Sequence, residues 1–462
     1  MLRVLTVVSI LAVSAGGSEN PAPATPALAQ AGGPSIAQRI AAAKPGDTIE
    51  VGAGTYRERL RIDKSIHLVG VGRPVLDGSG NGDIIEIVAP GVEVRGFFVR
   101  NTGDNLEKEN AAIRVTAPNA TIEDNVLEDV LFGIDLRQAQ DSVVRGNVIG
   151  GKNLDVARRG DGLRLWRSDG TLVEGNTIHD GRDAILWYSE NVTVRGNRSE
   201  HCRYGLHLMF SDGVTIEDND LEGNSVGVYL MYSKGVTLRG NRLLHNRGPS
   251  GYGIGFKEVD RYTIDHNVIA GNRVGVYLDG SPFTHAKPGV FNKNTIACND
   301  VGLMFLPNVR GNEITENNFI DNIEQVCVGG RGDLYGNEFS KDGRGNFWTD
   351  YVGYDQDRDG VGDFVHESQT LFENMMDREP KLRILLFSPA QQAIELVGRA
   401  LPAVRPEPKF TDEYPLMEPV TVEASAAGRG SDRAGLGAAA GGLAVLGAAV
   451  IGAAKLGNRG AA

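Results

Sequence analysis

GLHLMFSDGVTIEDNDLEGNSVGVYLMYSKGVTLRGN, residues 205–241, holds two near-copies of one pattern: a short alternating strand, a turn, and a tetrapeptide ending in Asn219 or Asn241. The same corner closes at Asn125, Asn147, Asn176, Asn197, Asn267, Asn294 and Asn317, at spacings of 21 to 29 residues. A second turn recurs as EGNSVG (Asn224), AGNRVG (Asn272) and ACNDVG (Asn299). Short strands at a fixed period, with no helix-length run between them, describe the coils of a parallel β-helix. Asn suits such corners because it tolerates the left-handed backbone region and its amide can bond to the Asn of the next coil.

The expected fold is therefore all-β, a right-handed, pectin-lyase-like parallel β-helix over 45–340. A solenoid exposes apolar stack ends that need caps. PSIAQRIAAAK, in 30–44, reads as an N-terminal capping helix, and 341–401 as a C-terminal cap with an acidic loop and a helix from Pro389 capped by Ser388. Residues 402–433 read as a Pro/Gly-rich linker. Residues 1–29 read as a secretory signal ending in Ala27-Leu28-Ala29. Ala434 to Ala454 is an uncharged run of 21 residues followed by Lys455 and Arg459, a candidate membrane-spanning helix. The expected location is the periplasm, with that helix as an inner-membrane anchor.

A formal net charge of -12 argues against a nucleic-acid partner, since phosphate neutralisation needs clustered Lys and Arg. The three cysteines are odd in number and lie on different coils. Cys202 takes the place that Asn224 and Asn272 fill later, which reads as a buried structural thiol.

Aligning the coils on the residue that is usually Gly (Gly133, Gly162, Asp183, Gly205, Gly227, Gly253, Gly275, Gly302) sorts the next strand by face. First and third positions after it are apolar and point inward; second and fourth point outward. The outward second column reads Asp135, Arg164, Ile185, His207, Tyr229, Gly255, Tyr277, Met304. The fourth reads Arg137, Trp166, Trp187, Met209, Met231, Lys257, Asp279, Leu306. Large apolar side chains stacked outward suggest a binding face, with Trp166, Trp187, Tyr229, Lys257, Tyr277 and Asp279 along it. Within it His207, Met209 and Met231 form a soft donor set suited to Cu(I). Met304 shares the His207 column but lies four coils on, a remoter candidate. A protein-docking patch explains the same stripe without metal.

Asp355, Asp357, Asp359 and Asp363 alternate around Gly360 like the start of a calcium loop, although His366 falls where an EF-hand needs Glu. For a carbohydrate-active enzyme, Asp135, Arg137, Arg164, Lys257 and Asp279 are the outward polar residues, and no facing carboxylate pair emerges from the columns. The Trp pair keeps carbohydrate binding or polysaccharide modification as the alternative reading.

CRYGLHLMFSDGVTIEDN (202–219), GVYLMYSKGVTLRGN (227–241), GYGIGFKEVDRYTIDHN (251–267), GVYLDGSP (275–282), GNFWTDYVGYDQDRDGVGD (345–363), LLFSPAQQAIELVGRALP (385–402) and PLMEP (415–419) together resemble the NosD-type maturation proteins of nitrous oxide reductase. The resemblance spans about 34–418. It implies a non-enzymatic periplasmic β-helix acting with an ABC transporter's ATPase and membrane subunits and a copper-chaperone lipoprotein. The cargo, copper or a sulfur species, serves the copper centres of nitrous oxide reductase. It makes His207, Met209 and Met231 the leading copper site.

Overall fold

A computed structural model describes residues 33–422 apart from 285, 286, 331, 369 and 405. Three parallel sheets of 12, 13 and 12 strands run along the molecule, and every third strand of the chain joins the same sheet. Each coil therefore contributes one strand to each face, which is a parallel β-helix. The signal segment 1–29 and the apolar run 434–454 lie outside the described residues. Among the described residues no helix is long and apolar enough to cross a membrane.

The interior is a stack of aliphatic columns such as Ile134, Leu163, Leu206, Val228, Ile254, Val276 and Leu303, all buried. At its edge runs the Asn ladder. In each step the Oδ1 of one Asn accepts from the backbone N and the Nδ2 of the Asn one coil earlier, as in Asn197 to Asn219 at 2.9 and 3.0 Å. Nδ2 also donates to a core-strand carbonyl, for example Asn219 to Val194 at 3.0 Å. Every polar atom of a fully buried amide is thus used, which avoids the 1–3 kcal/mol that an unpaired buried donor costs. A second ladder runs from Cys202, whose backbone N donates to Asn224 at 2.9 Å, through Asn246, Asn272, Asn299 and Asn322. Cys202 is a buried free thiol in that series.

The ladder corrects one expectation about its own corner. Asn is not the left-handed residue; its predecessor is, as at Asp124, Asp218 and His266 with φ near 55° and at Gly146 and Gly196. Asn keeps an ordinary backbone because its amide must point inward.

Helix Ile36–Ala42 plugs the first coil with Ile36 and Ile40, its start closed by a Ser35/Gln38 capping box. At the far end helix Pro389–Ala400 has Ser388 as its cap, as expected, and a further helix, Leu371–Arg378, packs on the last strand of one sheet. The stretch from 402, read as a linker, is not one as far as the structure describes it. Thr411–Asp412 pairs antiparallel with His366–Glu367. Phe410 stacks on Phe339 and Trp348 at 4.5 and 5.0 Å, closing the last coil with rings. Asp412, fully buried, accepts from the Asn346 backbone N at 2.7 Å and from Trp348 Nε1 at 2.8 Å. Asn346 is the rung after Asn317, so a tail carboxylate takes the place of a further Asn.

Candidate metal-binding face

Strands Asp183–Trp187, Tyr204–Met209, Val226–Met231 and Tyr252–Lys257 lie side by side in one sheet. Their register places His207 against Ile185 and Tyr229, and Met209 between Trp187 and Met231. The stacking read from the columns is therefore present. His207 Nε2 lies 3.3 Å from Met231 Sδ, and its Nδ1 lies 3.3 Å from Asp183 Oδ2.

His207 points out of the core yet is only 7% exposed. Tyr204 meets it edge-on at 5.0 Å and Tyr229 lies roughly parallel at 6.2 Å. Gly255 makes this packing possible, since a Cβ there would sit 2.6 Å from the Tyr229 ring. The imidazole is thus held in an aromatic wall with one nitrogen toward a carboxylate and the other toward a thioether.

Asp183 was placed in the Gly column, and the register corrects this: it pairs with Tyr204, one position earlier, with an irregularity before Ile185. That coil lacks the extra residue, so Asp183 faces outward beside His207. Arg203 forms an ion pair with it. Burial pushes the Asp183 carboxyl up, but the bonds to His207 and Arg203 outweigh this and hold it below its ordinary value. A buried carboxylate on Nδ1 favours the tautomer that keeps the proton there and a lone pair on Nε2, the arrangement found behind metal-binding histidines. Sequence reasoning missed Asp183, Arg203 and Tyr204; an Asp where every aligned coil has Gly was the available signal.

The other face residues divide. Trp166 and Trp187 are register partners, as are Tyr277 and Met304. Met304 is not brought to His207; it packs with Tyr252 and Tyr277 beside Cys327. Lys257 and Asp279 are register partners, but Lys257 Nζ lies over the Tyr232 ring at 5.9 Å and does not form the surface ion pair their register suggests. The turn residues Tyr188, Phe210 and Tyr232 all have φ between 51° and 53°, and their rings stack at 5.0 and 4.9 Å with Trp187 at 5.9 Å from Tyr188. These rings cover one another's flat sides, so the strip offers solvent mainly ring edges rather than the flat faces a sugar stacks on.

Three coils before His207, three of the five enzyme candidates, Asp135, Arg137 and Arg164, are consumed by one another. Asp135, fully buried, pairs with Arg114 at 2.5 Å, Arg137 at 2.8 Å and Arg164 at 2.8 Å. Glu109 joins through Arg164 and Arg137; the Arg164 bond lowers its carboxyl to about 2 against the opposing effect of burial.

The acidic turn brings Asp355, Asp357 and Asp359 together, with carboxylate oxygens within 4.8 Å of one another. Asp363 stands apart in role, accepting from Gln356 N at 2.8 Å. Asp355 accepts from Arg358 N and Gly360 N at 2.5 and 2.9 Å, and Asp359 from Val361 N at 2.7 Å. Backbone amides therefore already close this turn.

With that geometry in place, comparison with known proteins is informative. Residues 146–353 match the family described as periplasmic copper-binding protein (NosD), a stretch that contains the whole His207 neighbourhood. A probable ABC transporter binding protein NosD from Pseudomonas aeruginosa is 33% identical over 380 residues, covering 79% of this chain and 87% of its own length. The chain belongs to the NosD family. A probable ABC transporter binding protein NosD from Stutzerimonas stutzeri is 29% identical over 416 residues, covering 79% of this chain and 86% of that one. Among solved structures, the A-module of an Azotobacter vinelandii mannuronan C-5 epimerase covers 65% of this chain and 91% of its own at 17% identity and TM-score 0.43. At that level the likeness says nothing about chemistry. The NosD family description is periplasmic and copper-binding, which agrees with the soft donors on this face and with an ABC-transporter association.

Proposed function

We propose that this NosD-family chain is the periplasmic component of an ABC-transporter maturation system. It takes up and passes on Cu(I) as transient cargo at His207, Met209 and Met231, for the copper centres of nitrous oxide reductase. The observation that carries this reading is His207 Nε2 facing Met231 Sδ at 3.3 Å while Asp183 occupies Nδ1. An imidazole nitrogen and thioethers select Cu(I) over hard cations, and two thioethers bind it loosely enough for handover. The partners are the transporter's ATPase and membrane subunits, a copper-donating lipoprotein and the reductase. The chain acts as an accessory protein rather than an enzyme; of the outward acids, Asp135 is buried and tied up in arginine pairs. A sulfur cargo finds less support here than copper, since the neighbourhood is built of soft metal donors. The Asp355 turn is a structural turn that can take calcium without depending on it.

The test is a Cu(I) competition titration under reducing conditions. Wild type should bind one Cu(I), and Met209→Leu with Met231→Leu should abolish that binding. Unchanged affinity in the double variant overturns the site.

A further inference from the structure

Cys327 stands in the same outward column as His207, reached coil by coil through Tyr229, Gly255, Tyr277 and Met304. Five steps of about 4.8 Å put it roughly 24 Å from His207. Around it the last coil holds a second donor set of different chemistry. Cys327 Sγ and carboxylate oxygens of Glu324 and Asp377 lie within 4.8 Å of one another, and all three residues are buried. Glu324 comes from the same strand as Cys327, and Asp377 from helix Leu371–Arg378 laid across it.

A cation already sits among these donors. Lys409 Nζ, on a side chain 6% exposed, is 2.8 Å from Asp377 Oδ2 and 3.3 Å from Glu324 Oε1. Arg383 Nη2 approaches from the other side, 2.8 Å from Glu324 Oε2 and 4.0 Å from Cys327 Sγ. Lys409 belongs to the tail that carries Phe410 and Asp412, so the ammonium is delivered by the segment that closes the β-helix.

We propose that Glu324, Cys327 and Asp377 form a binding site for a divalent cation of borderline softness, such as Zn2+, with Lys409 as its internal competitor. The metal and the docked tail exclude one another. One thiolate and two carboxylates form a ligand set that Zn2+ accepts at about 2.0–2.3 Å, with water in the fourth position. The charges balance in both states. With Lys409 in place, two carboxylates face Lys409 and Arg383, and Cys327 is a neutral thiol. With the metal bound, two carboxylates and a thiolate face the dication and Arg383, the thiol proton has passed to water, and the ammonium has left. Burial pushes the Cys327 thiol up, in keeping with a neutral thiol beside the lysine. Occupancy would therefore convert a metal signal into release of the tail.

The inference is independent of copper at His207, and its test uses Co2+ as a spectroscopic probe on the full chain. Cys298 is exposed, so Cys298→Ser is the background. Titration should give a thiolate-to-cobalt charge-transfer band that disappears in Cys327→Ser, and Lys409→Gln should strengthen Co2+ binding at least tenfold. Because Lys409→Gln can loosen the tail by itself, hydrogen exchange on the Lys409-containing protein supplies the second readout. Saturating Zn2+ should speed exchange across 407–422 and leave the coils before Val301 unchanged. A band that survives in Cys327→Ser, no band in the Cys298→Ser background, or an unchanged tail with metal bound would each overturn the proposal.

Discussion

The same outward columns build two unlike neighbourhoods. Around Asp135 they carry charges, and each charge is spent on another, three arginines converging on one buried carboxylate. Around His207 they carry an imidazole and thioethers, with a buried carboxylate, Asp183, shared between Arg203 and His207. Asp135 makes scaffold because three arginines leave its carboxylate nothing to offer a ligand. The imidazole and the thioethers are not paired off in this way; Asp183 and the rings of Tyr204 and Tyr229 hold the imidazole with Nε2 toward Met231.

That contrast is sharpest if the first region is broken. Asp135→Asn leaves three arginines around a buried amide and should cost about 3–5 kcal/mol, read as a lower melting temperature or denaturation midpoint. Cu(I) affinity of the folded variant should be unchanged; a parallel loss would mean that the two regions are one unit.

Protons separate paired from unpaired carboxylates next. Glu109, lowered from 4.5 to about 2, contributes stability above its unfolded value that is lost as pH falls through about 2. Asp412 has the opposite sign. Burial raises it from 3.8 to about 6, so its favourable contribution is full below 3.8 and is lost as pH rises through about 6. The span is roughly 3 kcal/mol. Stability measured from pH 4 to pH 7 should show this fall in wild type, and Asp412→Asn, which continues the Asn ladder, should flatten it.

Asp183→Asn probes the second region at its support. It should weaken Cu(I) binding about 10–100-fold, the usual cost of losing the group behind a metal-binding histidine. The melting temperature should change far less than in Asp135→Asn. Equal affinity would show that packing by Tyr204 and Tyr229 alone orients the ring.

Smallest is the aromatic strip. Phe210→Asn gives up ring stacking worth about 0.5–1.5 kcal/mol but puts at φ 53° a residue that tolerates it, so the net change should stay within about 1 kcal/mol.

What could be read from the chain follows from the range of the interactions. The coil, the inward columns and the pairing of Met209 with Met231 repeat at short period, so each coil restates the rule. Asp183 was misplaced because its coil omits one residue, and a column alignment hides a local slip. Arg203 and Tyr204 lie just before the aligned strand positions, where no periodicity ranks them. The closure of Asn346 by Asp412 spans 66 residues of unrelated sequence, and nothing local in the Pro-rich stretch signals it. The corner Asn was recognised for the right reason, its amide, and assigned the wrong backbone.

The carboxylate at the end of the Asn ladder also sets an order of events. Coils can be laid down one upon another as the chain appears, each offering the next its amide edge. The final edge has no partner of its own kind and waits for residue 412. Until then the growing end is an open strand edge with a bare aromatic floor, the surface on which another chain could add. Time to completion, rather than the strength of any coil, then decides how long the newborn molecule is exposed to association.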